Sequence, residues 1–466
     1  MHIQHKKTKI VATIGPRTES VEMMTKLVKS GLDVIRLNMS HGDHAEHGLR
    51  IKNARTVEKN LSVNLPILLD LSGPKIRTGE YKTDRINIVA GKKIVLTSEN
   101  IIGDANRIYI NYLRLASEVK KGSIIMLDDG KKKLEVISIK GTEITCKIII
   151  GGELKSRRGV NVPGAYLSVS SITEKDKRDL KFALANDIDF IALSFVRTEK
   201  DVLDLKKLLK TAKKYIPIIA KIETQEAIDN LDSILEIADG AMVARGDLAI
   251  EVPTELVPVY QKIIISKCNQ LGKPVITATQ MLESMIQSPV PTRAEVSDIA
   301  NAIYDGTDAV MLSEESTLGD YPVEAVKMIT RVASVNEPEE ILSYDEISIG
   351  DSISKSVYKT ANNIKAKVIV ALTESGKSAR LVARFNPNVP IIAITPREET
   401  VKRLTLSSNV YPFLLKDINT LEKVLETIPK FLISKKIVKK GDKVVVTAGI
   451  PFGVRGSTNM LFVITI

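Results

Sequence analysis

The stretch Ile216-Pro217-Ile218-Ile219-Ala220-Lys221-Ile222-Glu223 decides how this chain is read. It is a short apolar run that buries its body and then presents a lysine and a carboxylate at its C-terminal end. Other runs end in the same way: Ile10–Ile14, Val34–Met39, Ile67–Leu71, Phe190–Phe195, Ala241–Ala244, Val275–Ala278 and Ala309–Leu312. Amphipathic stretches separate them, among them Glu19–Gly31, Glu199–Lys214, Gln225–Ala238 and Glu255–Leu271. Leu205, Leu208 and Leu209 fall at helical spacing. Alternating strand and helix argues for a parallel sheet or barrel. Eight such units predict an α/β fold with a (β/α)8 TIM barrel, whose active-site groups sit at the C-terminal ends of the strands.

The strand ends form a coherent chemical set. Arg36, Asn38, Ser40 and His41 follow the second run, and Asp70 the third. Lys221 and Glu223 follow the fifth, Arg245, Gly246 and Asp247 the sixth, Thr279 the seventh, and Ser313 with Glu315 the eighth. Glu223 and Asp247 offer two hard oxygen ligands to Mg²⁺, which keeps waters and substrate oxygens for its remaining positions. Lys221 and the arginines offer charge to a transferring phosphoryl group. Structural ion pairs explain any one of these pairs, but not why both signs gather at one end.

The rhythm breaks between the third and fourth runs. Ile86–Val89, Ile94–Thr97, Ile108–Ile110, Ile124–Leu127, Leu134–Ile139 and Ile144–Ile150 read as short strands with turn signals at Asp129-Gly130 and Gly151-Gly152. This predicts a small β-barrel lid domain inserted at the top of the barrel, where it covers the site. After a looser stretch, Pro338–Gly350, a helix over Ser352–Ile364 precedes strand-like runs at Val368–Leu372, Ile391–Ile394, Val410–Leu414, Val444–Val446 and Leu461–Ile466. That is an open α/β sheet. The expected division is 1–76 with 158–340 for the barrel, 77–157 for the lid and 341–466 for the C-terminal domain.

Composition narrows the partners. With 466 residues and 44% hydrophobic content the chain is long enough for two or three domains and a large core. Trp is absent and aromatics make up 4%, so platforms for stacking nucleic-acid bases are scarce. The net charge of +11 suits anionic ligands, but the lysines are scattered and read as a solvated surface. Nucleic acid is not an expected partner. Cys146 and Cys268 form no motif and fit a reducing compartment. No membrane-length apolar run or apolar leader is seen, which predicts a cytoplasmic protein without membrane contact.

Two motifs mislead. Ser375-Gly376-Lys377-Ser378 resembles the end of a P-loop, but Ala371 stands where its first glycine belongs. A simpler phosphate cradle remains, built from Thr373, Ser375, Gly376, Lys377 and Ser378 at a helix start, with an ordinary capped helix as the alternative. His41, His44 and His47 fall three apart, but residues six apart on a helix diverge, so the three cannot converge on one ion.

The motifs Lys9–Pro16, Arg36–Gly42, Ile219–Glu223, Met242–Leu248, Thr277–Met285, Pro291–Glu295 and Asp305–Ser313, in this order, resemble the pyruvate kinase family over the whole chain. The resemblance implies Mg²⁺-dependent phosphoryl transfer from phosphoenolpyruvate to ADP, giving pyruvate and ATP, with Mn²⁺ as an alternative metal. Lys221 would then neutralise the phosphoryl group in flight, and Glu223 and Asp247 would hold the divalent ion. Arg36 would contact phosphate, while Arg245, Gly246, Asp247 and Thr279 would line the substrate. Thr279 and Ser313 would join the network that protonates the enolate. Asn38, His41, Arg77 and Arg158 match nucleotide positions. It further implies a homotetramer and a sugar-phosphate or nucleoside-monophosphate effector at Thr373–Ser378, near a late loop at Arg455-Gly456-Ser457-Thr458. Potassium-dependent relatives bind the ion near Asn38, Ser40, Asp70 and the next residue. Here Leu71 replaces a usual threonine and Lys75 a usual glutamate, so potassium independence is expected. Arg158 for lysine, Ala249 for glycine and Glu314 for glycine are further departures. A barrel lyase or mutase that does not use ADP is the competing enzymatic reading.

Overall fold

The computed structural model describes residues 6–337, 348–451 and 458–466. Eight parallel strands close into a barrel: Lys9–Thr13, Val34–Asn38, Ile67–Asp70, Phe190–Leu193, Ile218–Ile222, Gly240–Ala244, Val275–Ala278 and Ala309–Leu312. The first strand pairs with both the second and the eighth. Each strand is buried on both faces, as a sheet wrapped by helices requires.

Alternation along these strands decides which side chains reach the site. On the fifth strand Ile218, Ala220 and Ile222 pack outward against the helices, while Ile219 packs inward. Lys221 continues the inward series. By the same count Val34 leads inward to Arg36 and Asn38, Leu68 to Asp70, Val11 to Thr13, and Ala192 to Ser194. The polar residues at the strand ends are therefore the upper layer of a filled barrel interior.

The stretch Gln225–Ala238 is two helices, Gln225–Asp229 and Leu231–Ile237. Asn230 leaves the helical region between them (φ −103°, ψ 18°), and its amide donates to the carbonyls of Glu226 and Arg197. A side chain that competes for local carbonyls breaks a helix in this way.

The insertion holds a six-stranded and a two-stranded sheet. Ile88 and Leu154 from the two-stranded sheet share one core with Ile94, Leu96, Leu134 and Ile148. The two sheets thus enclose a single core, although their hydrogen-bond ladders stay separate. The turn at Asp128, Asp129 and Gly130 has φ of 55°, 53° and 81° and joins Ile124–Leu127 to Lys132–Lys140.

In the C-terminal domain four parallel strands, Val368–Leu372, Ile391–Thr395, Val410–Leu414 and Lys443–Gly449, are joined by the antiparallel Thr458–Thr465. Most of the looser stretch, residues 338–347, lies outside the described residues, as do Arg455, Gly456 and Ser457. This domain stoppers the barrel. Leu406, fully buried, packs with Val11, Val34, Leu68, Phe190 and Ile276 in the barrel interior. Lys9 Nζ donates to the Val410 carbonyl (3.1 Å) and lies 4.6 Å from the centre of the Tyr411 ring.

Leu406→Ala is expected to cost about 2–5 kcal/mol, the range for opening a cavity at a buried leucine. The loss should appear in urea unfolding as an earlier transition of the barrel as well as of the C-terminal domain. A loss confined to the C-terminal domain would show that Leu406 does not brace the barrel.

Candidate active site

At the upper end of the barrel interior, Lys221 is surrounded by acceptors. Its Nζ donates to Ser194 Oγ (2.7 Å) and lies 2.8 Å from Glu223 Oε1 and 3.5 Å from Asp70 Oδ1. Burial works to lower its pKa, but the charges of Asp70, Glu223 and Asp247 outweigh that and hold it well above the usual lysine range. Asp70 is equally fixed. Arg36 Nε and Nη2 reach Asp70 Oδ2 at 2.9 and 2.7 Å, and Arg36 Nη1 donates to Thr13 Oγ1 (2.8 Å). Burial pushes the Asp70 carboxyl up, and Lys221 and Arg36 together bring it below the ordinary value.

Glu223 is fully buried. Its Oε2 accepts from the Phe195 amide (2.7 Å). Its Oε1 meets the Lys221 ammonium as an ion pair (2.8 Å) and has no further donor. Burial first, and then the charge of Asp247, raise its pKa. A buried carboxylate oxygen with a single ionic neighbour, beside a second carboxylate, fits a divalent cation. Among the described residues no group of three or more His, Cys, Asp and Glu is gathered for a metal. A cation held by Glu223 and Asp247 would thus need further oxygens from ligand and water.

Asp247 lies on the helix Arg245–Glu251 and lines a cavity of about 470 Å³ between the barrel and the inserted domain. His41, Lys75, Arg77, Arg158 and Glu314 line it too. Lys75 is solvent-accessible and lies at the lining of this cavity. Its surroundings lower its pKa, by desolvation first and then by Arg77 and Lys221, against the opposing charges of Asp247 and Asp70. His41 is also shifted down, by desolvation and then by Lys75, Arg36 and Arg77. Asn38 Oδ1 accepts from the Ser40 amide (3.0 Å), which shapes the same corner. Leu71 is buried, and its carbonyl accepts from Ser194 Oγ (2.7 Å).

Thr279 sits in the left-handed region (φ 68°), rare for a β-branched residue and a mark of imposed strain. Its Oγ1 accepts from the Gly246 amide (2.8 Å) and donates to the Ala278 carbonyl (2.6 Å).

The donors of Arg245, expected at the substrate, go to Asp298 (2.7 Å), Gln261 (3.3 Å), Met281 and the carbonyls of Ala278 (3.2 Å) and Thr279 (2.7 Å). With its fork saturated, Arg245 braces Thr279. Glu315 is buried and accepts from the amides of Leu282 (3.1 Å) and Ser313 (2.7 Å), so it fixes the eighth strand end from behind. His44 pairs with Asp179 (2.8 Å), and His47 with the His41 carbonyl (2.9 Å), so these histidines serve structure. In the other motif, Gly376 (φ 86°) opens the helix Lys377–Ala383, and its amide donates to Thr373 Oγ1 (2.9 Å). Ser378 Oγ is paired with Thr458 Oγ1 (2.6 Å), whereas Lys377 is exposed. Sequence reasoning missed Ser194 and Thr13; the inward alternation of the fourth and first strands was the available signal.

A family model described as the pyruvate kinase barrel domain matches residues 5–326, and one described as the pyruvate kinase alpha/beta domain matches 351–464. A pyruvate kinase of Geobacillus stearothermophilus is 47% identical over 98% of this chain and 80% of its own length. One of Clostridium acetobutylicum is 43% identical over 98% of both. The crystal structure of a pyruvate kinase from Cryptosporidium parvum matches with a TM-score of 0.92 at 35% identity, covering 99% of this chain and 96% of that one.

The opposite shifts of Lys75 and Lys221 make a chemical prediction. A lowered pKa increases the neutral amine at a given pH, and a raised one removes it. Between pH 7 and 9, Lys75 should be acylated ahead of surface lysines, while Lys221 stays unmodified, as read by peptide mass spectrometry. Equal labelling of Lys75 and bulk lysines would contradict the assignment.

Proposed function

Because this chain belongs to the pyruvate kinase family and is a phosphotransferase, we propose that it moves the phosphoryl group of phosphoenolpyruvate to ADP in an Mg²⁺-dependent reaction. The observation that supports this most is the Lys221 ammonium, held charged between Asp70, Glu223 and Ser194 beside a cavity lined by Asp247, Arg77 and Arg158.

The P–O bond to the enol oxygen of phosphoenolpyruvate breaks, and a bond to a terminal ADP oxygen forms. Lys221 and Arg36 present fixed positive charge to the phosphoryl group in transit, without reorganising at that moment. Arg36 is aimed by Asp70 and Thr13. Gly246 and Thr279, whose amide and hydroxyl are paired locally in the resting structure, turn these donors to the substrate carboxylate, at the place that Arg245 keeps in its strained form. The enolate left behind takes a proton at its terminal carbon, delivered through water ordered by Thr279 and Ser313. Arg77, Arg158, His41 and Asn38 take the nucleotide, and the inserted domain closes over it and excludes water. A divalent cation at Glu223 and Asp247, Mg²⁺ or Mn²⁺, supplies electrophilic charge to the substrate oxygens when bound.

The enzyme works at the last step of glycolysis in the cytoplasm, as a homotetramer; no helix among the described residues is long and apolar enough to cross a membrane. The segment Thr373–Ser378, with Lys377 exposed, receives the phosphate of a sugar-phosphate or nucleoside-monophosphate effector. Lys75 replaces a monovalent cation. Its ammonium carries the same charge into the cavity, where a separate potassium ion would meet like-charge repulsion.

Two measurements test this. Wild-type protein should form ATP from phosphoenolpyruvate and ADP only with a divalent metal. Lys221→Met should lower kcat by about 100- to 1000-fold, the range for one lost charge-stabilising donor. Turnover of phosphoenolpyruvate without ADP would favour the lyase reading, and an unchanged kcat in Lys221→Met would remove that residue from the chemistry. For the cation, activity in potassium- and sodium-free Tris should match that in KCl, and Lys75→Glu should create a potassium requirement. Strong activation of the wild type by potassium would refute the replacement.

A further inference from the structure

Two chain segments join the inserted domain to the barrel, one leading out after Asp70 and one returning after Asn161 to the helix Glu174–Ala185. The returning segment, 162–173, holds no regular helix or strand, so its backbone groups need partners from elsewhere. Arg197 supplies two of them, beside Glu118, which accepts from the Ser168 amide (3.3 Å). Arg197 Nη1 donates to the Leu167 carbonyl and its Nη2 to the Val169 carbonyl. Its backbone is fixed from below: the amide donates to Asp201 (2.9 Å), and the carbonyl accepts from Asn230 (3.1 Å).

The outgoing segment rests on the same loop. A Cβ at Gly73 (φ +63°) would come within 2.9 Å of Phe195 Cδ2 and 3.0 Å of Ser194 Cβ, so backbone and loop are in close contact. The two segments are also tied to each other. Asp176, fully buried, accepts from the Gly73 amide (3.2 Å) and from the amide and hydroxyl of Thr173 (2.8 and 2.6 Å). The loop 194–198 therefore touches both connections, and its Phe195 amide holds Glu223 Oε2.

We infer that Arg197 is a positioning residue that sets the resting place of the inserted domain and links its closure to the orientation of Glu223. A guanidinium presents two parallel donors in one rigid plane, and so fixes the spacing and direction of two carbonyls. An ammonium can reach one of them but cannot fix that plane. The inference rests on the closing role given to the inserted domain above.

The test is a distance. Both native cysteines are buried, so cysteines introduced at exposed Lys140 in the insertion and exposed Lys52 on a barrel helix accept nitroxide labels selectively. In the labelled but otherwise native protein, the spin–spin distance should be narrow and should shorten with Mg²⁺, ADP and pyruvate. Arg197→Ala and Arg197→Lys should each broaden the resting distribution and raise the KM for ADP by about tenfold, with a smaller fall in kcat. Far-UV circular dichroism serves as the folding control, and Arg197→Lys keeps the charge if Arg197→Ala folds poorly. Unchanged distances and an unchanged KM in both variants would overturn the role of Arg197. A native distance that ignores the ligands would instead overturn the closing role, and the inference with it.

Discussion

Everything at the top of the barrel depends on one buried ion network, Lys221 between Asp70 and Glu223, with Arg36 on the far side of Asp70. Removing such ions from water costs several kcal/mol each, and their mutual attraction offsets that only when geometry and hydrogen bonding are good. Here most of the conditions are met. Asp70 is met by Arg36 and Lys221, Lys221 by Ser194 and two carboxylates, and Glu223 Oε2 by a backbone amide. Glu223 Oε1, which meets only the Lys221 ammonium, is the atom that a bound cation would complete. The network carries a local energetic cost that makes sense as a prepared ligand site rather than as a stabilising device.

Around this network, groups that touch no ligand keep the others in place. Arg245 holds the carbonyls flanking the strained Thr279, Glu315 gathers two amides behind the eighth strand end, and Leu406 fills the barrel from the opposite end. These contacts come from elements distant in sequence, and the barrel brings them together. They give the site rigidity below, whereas the inserted domain above is attached through two connections and one loop. Fixed charge beneath a covering domain is what phosphoryl transfer away from water calls for.

Much of this was legible in the residues. The barrel strands were readable because apolar runs of four or five residues recur between amphipathic helices, and a strand end such as Lys221 with Glu223 has little structural use in isolation. What could not be read was which donor meets which acceptor. Arg245 looks the same in sequence whether it faces a phosphate or braces a carbonyl, and only the placement of Asp298 and Gln261 decides it. Ser194 carries no motif and matters because the fourth strand points it inward beside Lys221. The break at Asn230 was invisible for a similar reason, since one of the carbonyls it captures belongs to Arg197 on a neighbouring loop.

The central claim is that Glu223 and Asp247 form half of a cation site that the substrate completes. Crystals grown with Mn²⁺, with and without phosphoenolpyruvate and always without ADP, test it through the anomalous signal of the metal. A peak within ligand distance of an oxygen of each carboxylate is expected, strong with phosphoenolpyruvate and weak without it. A peak elsewhere in the cavity, or full occupancy that ignores the substrate, would contradict it.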